Sequence, residues 1–240
     1  MRVLHIVATP RTISSRTLQV SGEFFRILLD AAPDISVETL DLYADDLPNV
    51  AGTNIEAKYT LLMGAPIDPE HAESWAQIER LIDRFLAAEV VVMSVPMWNL
   101  SIPYALKYFI DAIVQPGYLF RYDENGVPEG LVHDKRMVVI TSRGGDYSAG
   151  SPQHAFDFME PYIRAIFGFV GMYDIEFVYA QPVDVQMFRE DAMQRALVDA
   201  GDAARRLLEP RVHITVEALP DGLIPPVIPS DVIAPEVVPG

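Results

Sequence analysis

The sequence predicts an α/β fold: one parallel sheet of five strands with helices on both faces. Three observations predict it. Short, β-branched-rich apolar runs alternate with stretches of helical spacing in the order β-α-β-α-β-α-β-α-β. The run Glu89 to Val95 is apolar on both faces, as a central parallel strand must be. Three of the runs lead directly into turns rich in hydroxyl, aromatic or glycine residues, and parallel strands bring such turns to one edge of the sheet.

Each element follows from local pattern. Arg2 to Ala8 (Arg-Val-Leu-His-Ile-Val-Ala) is a short strand. From Ser15 to about Ala31 the spacing is helical, with Leu18, Phe25 and Leu29 on one face, and Pro33 stops the helix. Ile35 to Leu40 alternates apolar and polar residues as a second strand does. Residues 41–69, with Pro48, Gly52, Gly64 and Pro66, show no clear period, and so long a stretch is expected to be a functional loop or lid. Residues 70–87 read as a helix with Trp75, Ile78, Ile82 and Phe85 on one side. After the strand Glu89 to Val95, Ser101 and Pro103 suit a helix start, and Leu106, Phe109, Ile110 and Ile113 form its apolar stripe. Gly117 to Gly130 reads as an excursion that turns at Asn125-Gly126. Arg136 to Thr141 is another buried strand, and residues 152–170 read as a long helix rich in aromatics. Ile175, Phe177 and Tyr179 alternate in a last strand, and a final helix covers about 187–208. Residues 1–210 therefore form one domain. Residues 211–240 differ: prolines at 220, 225, 226, 229, 235 and 239 exclude a helix or a central strand. Their interleaved Val, Ile and Leu predict an extended tail lying along the protein surface.

Composition excludes several functions. The chain has 240 residues, half of them hydrophobic, which is enough for a large core. A net charge of −16 repels nucleic acid and anionic lipid, so neither is an expected partner. An anionic ligand remains open, because backbone N–H groups create local positive sites. The absence of cysteine removes disulfides, thiolate metal sites and cysteine nucleophiles. His5, His71, His133, His154 and His213 are too dispersed to suggest a metal site, and none is expected. No apolar run is long enough to span a bilayer and no signal-peptide pattern is present, so the expectation is a cytoplasmic protein.

The chemistry is expected in the three turns. In Thr9-Pro10-Arg11-Thr12-Ile13-Ser14-Ser15-Arg16-Thr17, neither a Gly-x-Gly-x-x-Gly turn nor a Gly-Lys-Ser/Thr motif is present. Thr9, Ser15 and Thr17 instead offer hydroxyls at a helix entry, where free N–H groups and the helix dipole favour a phosphate, and Arg16 adds charge. An ordinary N-cap by Ser14 or Ser15 explains the same residues. In Pro96-Met97-Trp98-Asn99-Leu100, apolar and aromatic surface suits the edge of a planar heterocycle; a core aromatic beneath a loop explains it equally. In Ser142-Arg143-Gly144-Gly145, the glycines let the backbone approach a ligand, or make a plain strand-to-helix turn. The three together, at the ends of adjacent strands, point to a flat, phosphorylated ligand.

In order, Ser15-Arg16-Thr17, Pro96-Met97-Trp98-Asn99, Phe120-Arg121-Tyr122 with Glu124-Asn125-Gly126, Glu129-Gly130-Leu131, Thr141-Ser142-Arg143-Gly144-Gly145 and Phe167-Gly168-Phe169-Val170-Gly171 resemble the FMN-dependent NADH azoreductases, also described as NADH:quinone oxidoreductases. The likeness runs from residue 1 to about 205. It implies a flavodoxin-like three-layer sandwich of strand order 2-1-3-4-5 and a homodimer with FMN at the subunit interface. It implies that Ser15 and Thr17, with Thr9 nearby, hold the FMN phosphate. The isoalloxazine ring would lie against Pro96, Met97, Trp98, Asn99 and Leu100 and against Ser142, Arg143, Gly144 and Gly145. Phe120 would come from the facing side to line the pocket above the flavin. Trp98 and Leu100 stand where that family usually has Tyr and Phe, and Asp146-Tyr147 where it often has an apolar residue and His. Tyr147 therefore bears on substrate choice. The phosphate turn is shorter, and the proline-rich tail is an addition.

The function expected is transfer of two electrons from NADH or NADPH to a quinone or azo compound through FMN, by a ping-pong cycle. The flavin carries the chemistry, and no protein residue is assigned as a general acid. Two alternatives stand beside it: a flavodoxin-type electron carrier without its own substrate pocket, and a cofactor-free binding protein. The excursions at 41–69 and 117–130 favour a pocket.

Overall fold

A computed structural model describes residues 1–210, and the extended tail expected for 211–240 lies outside the described residues. Along the chain come β1 (Arg2–Val7), α1 (Arg16–Ala31), β2 (Ser36–Asp41), α2 (Thr53–Leu62), α3 (Ala72–Ala87), β3 (Val90–Pro96), α4 (Tyr104–Ile113), β4 (Phe120–Tyr122), β5 (Pro128–Gly130), β6 (Arg136–Ser142), α5 (Glu160–Phe169), β7 (Asp174–Ala180) and α6 (Gln186–Leu207). Five strands form one parallel sheet in the order β2-β1-β3-β6-β7. With the small β4–β5 hairpin set aside, this is the expected 2-1-3-4-5 order.

Both faces of the central strands are apolar, which forces helices onto each. Val3, Val90, Val92, Val138 and Ile140 pack against α1 and α6. Leu4, Ile6, Val91, Met93 and Val139 pack against α3, α4 and α5. In α6, Ala192, Ala196, Ala200, Ala203 and Ala204 are all buried, so the helix lies close to its neighbours. A side chain at Gly201 would meet Ile27 Cδ1 of α1 at 2.6 Å.

Three expectations need correction. The buried face of α1 is Val20, Phe24 and Leu28, not Leu18, Phe25 and Leu29; Leu29 is 37% exposed. Two apolar stripes run along this helix, and the sheet takes the one that also buries the small Thr17 and Ser21. The region 41–69 contains a helix, α2. Only Asn54 and Ala57 of α2 are buried, so it has no apolar period to read. Polar contacts hold the segment instead: Tyr108 Oη donates to Pro48 O at 2.9 Å, and Ser74 Oγ donates to Asn54 Oδ1 at 2.7 Å. The helix expected over 152–170 begins only at Glu160, after a single 3-10 turn at His154–Phe156. Asp157 Oδ1 accepts from Met159 N at 3.0 Å and Glu160 N at 3.1 Å, fixing the entry to a helix that carries Pro161 in its first turn.

The 117–130 excursion is an antiparallel hairpin. Gly126 has φ +77°, and Asp123 Oδ1 accepts from Asn125 N and Val127 N, each at 2.8 Å. The hairpin packs tightly on the turn after α5, where a Cβ on Gly130 would collide with the backbone of Val170 and Gly171.

His5 on β1 is enclosed between Ser94 Oγ, 2.8 Å from its Nε2, and the Phe25 ring, 4.6 Å away. Burial lowers its pKa from 6.5 to about 4. The folded state therefore binds a proton less readily than the unfolded chain. The resulting stability is complete above pH 6.5 and is lost as pH falls toward 4. The loss approaches about 3 kcal/mol at its limit. Chemical denaturation at pH 7 and pH 4.5 should show a smaller acid loss for His5→Asn than for the wild type; equal losses contradict this.

Candidate functional site

β3 and β6 end level with one another, and β1 ends two residues short of them. Val7 pairs with Ser94, and Pro96 with Ser142. Beyond them the backbone continues the ladder, with Ala8 N donating to Ser94 O and Met97 N to Ser142 O, each at 2.9 Å. The turns that follow open into one cleft. Its enclosed part is about 110 Å³ and mostly polar, room for a phosphate-sized head.

At its floor is the first turn of α1. Ser15 is the N-cap and accepts from Leu18 N at 3.3 Å, so the capping explanation holds. It does not compete with the functional one, because a hydroxyl that accepts from the helix still has its own proton to donate. The N–H groups of Arg16 and Thr17 have no acceptor within the helix. Thr17 Oγ1 lies 2.7 Å from Ser142 Oγ, which ties the first turn to the third. Thr9 is 3% exposed, and its Oγ1 accepts from Arg11 N at 3.3 Å. Hydroxyl donors, free N–H groups and the positive end of a helix dipole are the donor set a phosphate requires.

Pro96, Met97 and Trp98 form one wall. Trp98 and Ser101 exchange both backbone hydrogen bonds at 3.0 Å, closing a tight loop. Asn99 and Leu100 are left at its tip with φ of +48° and +71°. Both are exposed at the rim. Behind Trp98 stands Tyr43, with ring centroids 6.3 Å apart. Burial, then the neighbouring Tyr104, raises the pKa of Tyr43.

The third turn divides. Ser142 and Gly144 line the cleft. Gly145 lies beside it, where a Cβ would strike the Gln153 side chain. The Arg143 side chain turns away: it is 1% exposed, its Nη1 donates to Asp157 Oδ2 at 2.7 Å, and its guanidinium lies 4.8 Å from the centre of the Tyr179 ring. Arg143 anchors the turn from beneath. Tyr179 in turn donates to Glu160 at 2.6 Å; burial first, then that bond, raises its pKa. Arg143 and Tyr147 border a separate apolar cavity of about 1140 Å³ between α5 and the strand edge. That cavity is larger, and Ser148 and the start of α5 border it, but it is mainly apolar and lies apart from the α1 terminus and from Thr9, Ser15 and Thr17. Phe120 is also outside the cleft of its own chain: it is 6% exposed and packs on Phe169, with centroids 4.8 Å apart. Phe156 and Phe158 are half exposed, whereas Phe167 is fully buried.

Sequence reasoning missed a fourth segment, Val183 and Asp184 after β7. No motif marks it. The signal was topological: a fifth parallel strand must deliver its following loop to the same edge. Among the described residues, no group of His, Asp and Glu is placed to hold a metal ion, and no helix is long and apolar enough to cross a membrane.

Leu100 at φ +71° carries strain of about 1–2 kcal/mol that glycine would not. The added freedom of the unfolded glycine costs about 0.5–1 kcal/mol. Leu100→Gly is expected to leave stability unchanged or raise it by up to about 1 kcal/mol while weakening ligand binding at the rim. Denaturant titration checks the first effect, and a clear loss of stability would show that the loop is unstrained.

Comparison with known proteins identifies the family of this fold. Residues 1–203 match the family model described as having a flavodoxin-like fold. An FMN-dependent NADH:quinone oxidoreductase of Nitratidesulfovibrio vulgaris is 37% identical over 205 residues, covering 85% of this chain and 97% of that protein. One from Trichormus variabilis is 41% identical, over 84% of this chain and 95% of its own. The crystal structure of an FMN-dependent NADH-azoreductase from Bacillus anthracis in complex with FMN superposes with a TM-score of 0.78 at 27% identity, covering 87% of this chain and 99% of that one. By fold and by sequence over nearly all the described residues, the chain belongs to the flavodoxin-like family of FMN-dependent NADH:quinone oxidoreductases and azoreductases.

Proposed function

We propose that this protein binds FMN in the cleft and transfers two electrons from NADH to a quinone or azo acceptor, with donor and acceptor taking turns at one site. The observation that carries this is the convergence of the α1 terminus, the Trp98 loop and the Ser142–Gly144 turn at one sheet edge. When bound, the flavin supplies hydride acceptance and donation. The chain's own residues supply the rest.

Ser15, Thr17 and the first N–H groups of α1 hold the phosphate, with Thr9 at its side. Arg16 adds a cation. Trp98, Met97 and Asn99 would border the ring on one side and Ser142 and Gly144 on the other, with Gly145 beside them. Backbone N–H groups at Gly144 and Gly145 would offer hydrogen-bond donors to the ring. Reduction of a quinone by NADH consumes one proton per hydride delivered, and solvent supplies it. No side chain in the cleft is placed as an obligatory acid.

An electron carrier without a substrate pocket is the weaker reading, because the relatives over this length are oxidoreductases acting on quinones. We further read the protein as a cytoplasmic homodimer. Phe156 and Phe158, half exposed ahead of α5, offer apolar surface to a second copy.

Initial-rate kinetics test the function. With NADH and a soluble quinone varied together, double-reciprocal plots should be parallel, since one cleft serves both in turn. Lines that intersect for several acceptors would contradict a shared site, and absence of NADH consumption with FMN-loaded protein would contradict the activity.

A further inference from the structure

Arg16 and Asp184 face each other across the rim of the cleft, with Arg16 Nη1 donating to Asp184 Oδ1 at 2.8 Å. They come from far apart in the chain, one from the first turn of α1 and the other from the loop after β7. Asp184 is held in place from below: its N–H donates to Gly144 O at 3.1 Å. Its carboxylate also overlies Gly144, where a Cβ would come within 2.5 Å of Oδ2. Among the described residues, Asp184 is the one carboxylate that lines this cleft.

A carboxylate at the mouth of a phosphate site calls for a reason. Stability does not supply one. The Asp184 side chain is 71% exposed, and exposed ion pairs contribute little to folding. Its two effects on an entering phosphate have opposite signs. It holds Arg16 at the rim, which favours binding. It also occupies part of the guanidinium and places a negative charge about one guanidinium width from a phosphate carrying roughly −1.5 to −2 charges. The fork of Arg16 has five N–H donors, so Arg16 can serve the phosphate while still bonded to Asp184. Organising the fork therefore gains little, because α1 already holds the Arg16 backbone, whereas the repulsion persists for as long as the phosphate is bound.

We propose that Asp184 limits cofactor affinity: its carboxylate at the rim repels the FMN phosphate and keeps the cofactor exchangeable. This rests on the reading of the cleft as an FMN site. Asp184→Asn tests it, since the amide keeps the shape and an acceptor for Arg16 but removes the charge. Apo-protein is titrated with FMN, followed by quenching of flavin fluorescence, and dissociation is timed by dilution at several salt concentrations. The variant is expected to bind FMN about tenfold more tightly, mainly through slower release. Its affinity should also fall more steeply with salt, because the rim gains net positive charge; a purely structural change would not alter that slope. Unchanged or weaker binding by Asp184→Asn, with wild-type protein that does take up FMN, overturns the inference alone. Wild-type protein that takes up no FMN overturns the underlying reading, and the inference falls with it.

Discussion

The site depends on the register of an all-parallel sheet. β1, β3 and β6 are apolar on both faces, so a slip of one residue would exchange what each face buries and would leave the helices without partners. With register pinned, these strands end within two residues of one another at one edge, and the loops that follow cannot avoid one another. The hydroxyl contact between Thr17 and Ser142 is the direct product: two residues from separate segments, brought to 2.7 Å because their strands point to the same edge. Function here is a consequence of burial on both sides of a sheet.

Much of this was legible in the sequence because buried strands and apolar helix stripes leave periodic marks. The order of strands, the helices after β3 and β7, and the three cleft turns all carry such marks. What was hidden lacks them. α2 buries almost nothing, so it shows no period; polar contacts from Tyr108 and Ser74 hold its segment. α1 offers two stripes, and only docking on the sheet selects Val20, Phe24 and Leu28. Arg143 reads as a ligand-facing cation from its place in Ser-Arg-Gly-Gly, yet its side chain is drawn under the turn by Asp157. Asp184 is an unremarkable acid in a loop until the fold sets it opposite Arg16.

Electrostatics resolve an apparent conflict. A chain of net charge −16 is an unpromising host for an anion. The cleft overcomes this locally, with Arg11 and Arg16 beside a helix N-terminus against a single carboxylate. Arg143 does not contribute to that balance, because Asp157 neutralises it within the interior. Global charge thus sets which macromolecules the surface avoids, while a few fixed dipoles and hydroxyls decide what small molecule the cleft accepts.

The central claim is that the α1 terminus with Ser15 and Thr17 is built for a phosphate. Comparing FMN with riboflavin, which lacks only that group, tests it most directly. Equilibrium titration of the apo-protein should give FMN an advantage of at least about 100-fold, the worth of one or two charge-assisted hydrogen bonds. Equal affinities for the two flavins would contradict the assignment of the phosphate to this helix terminus.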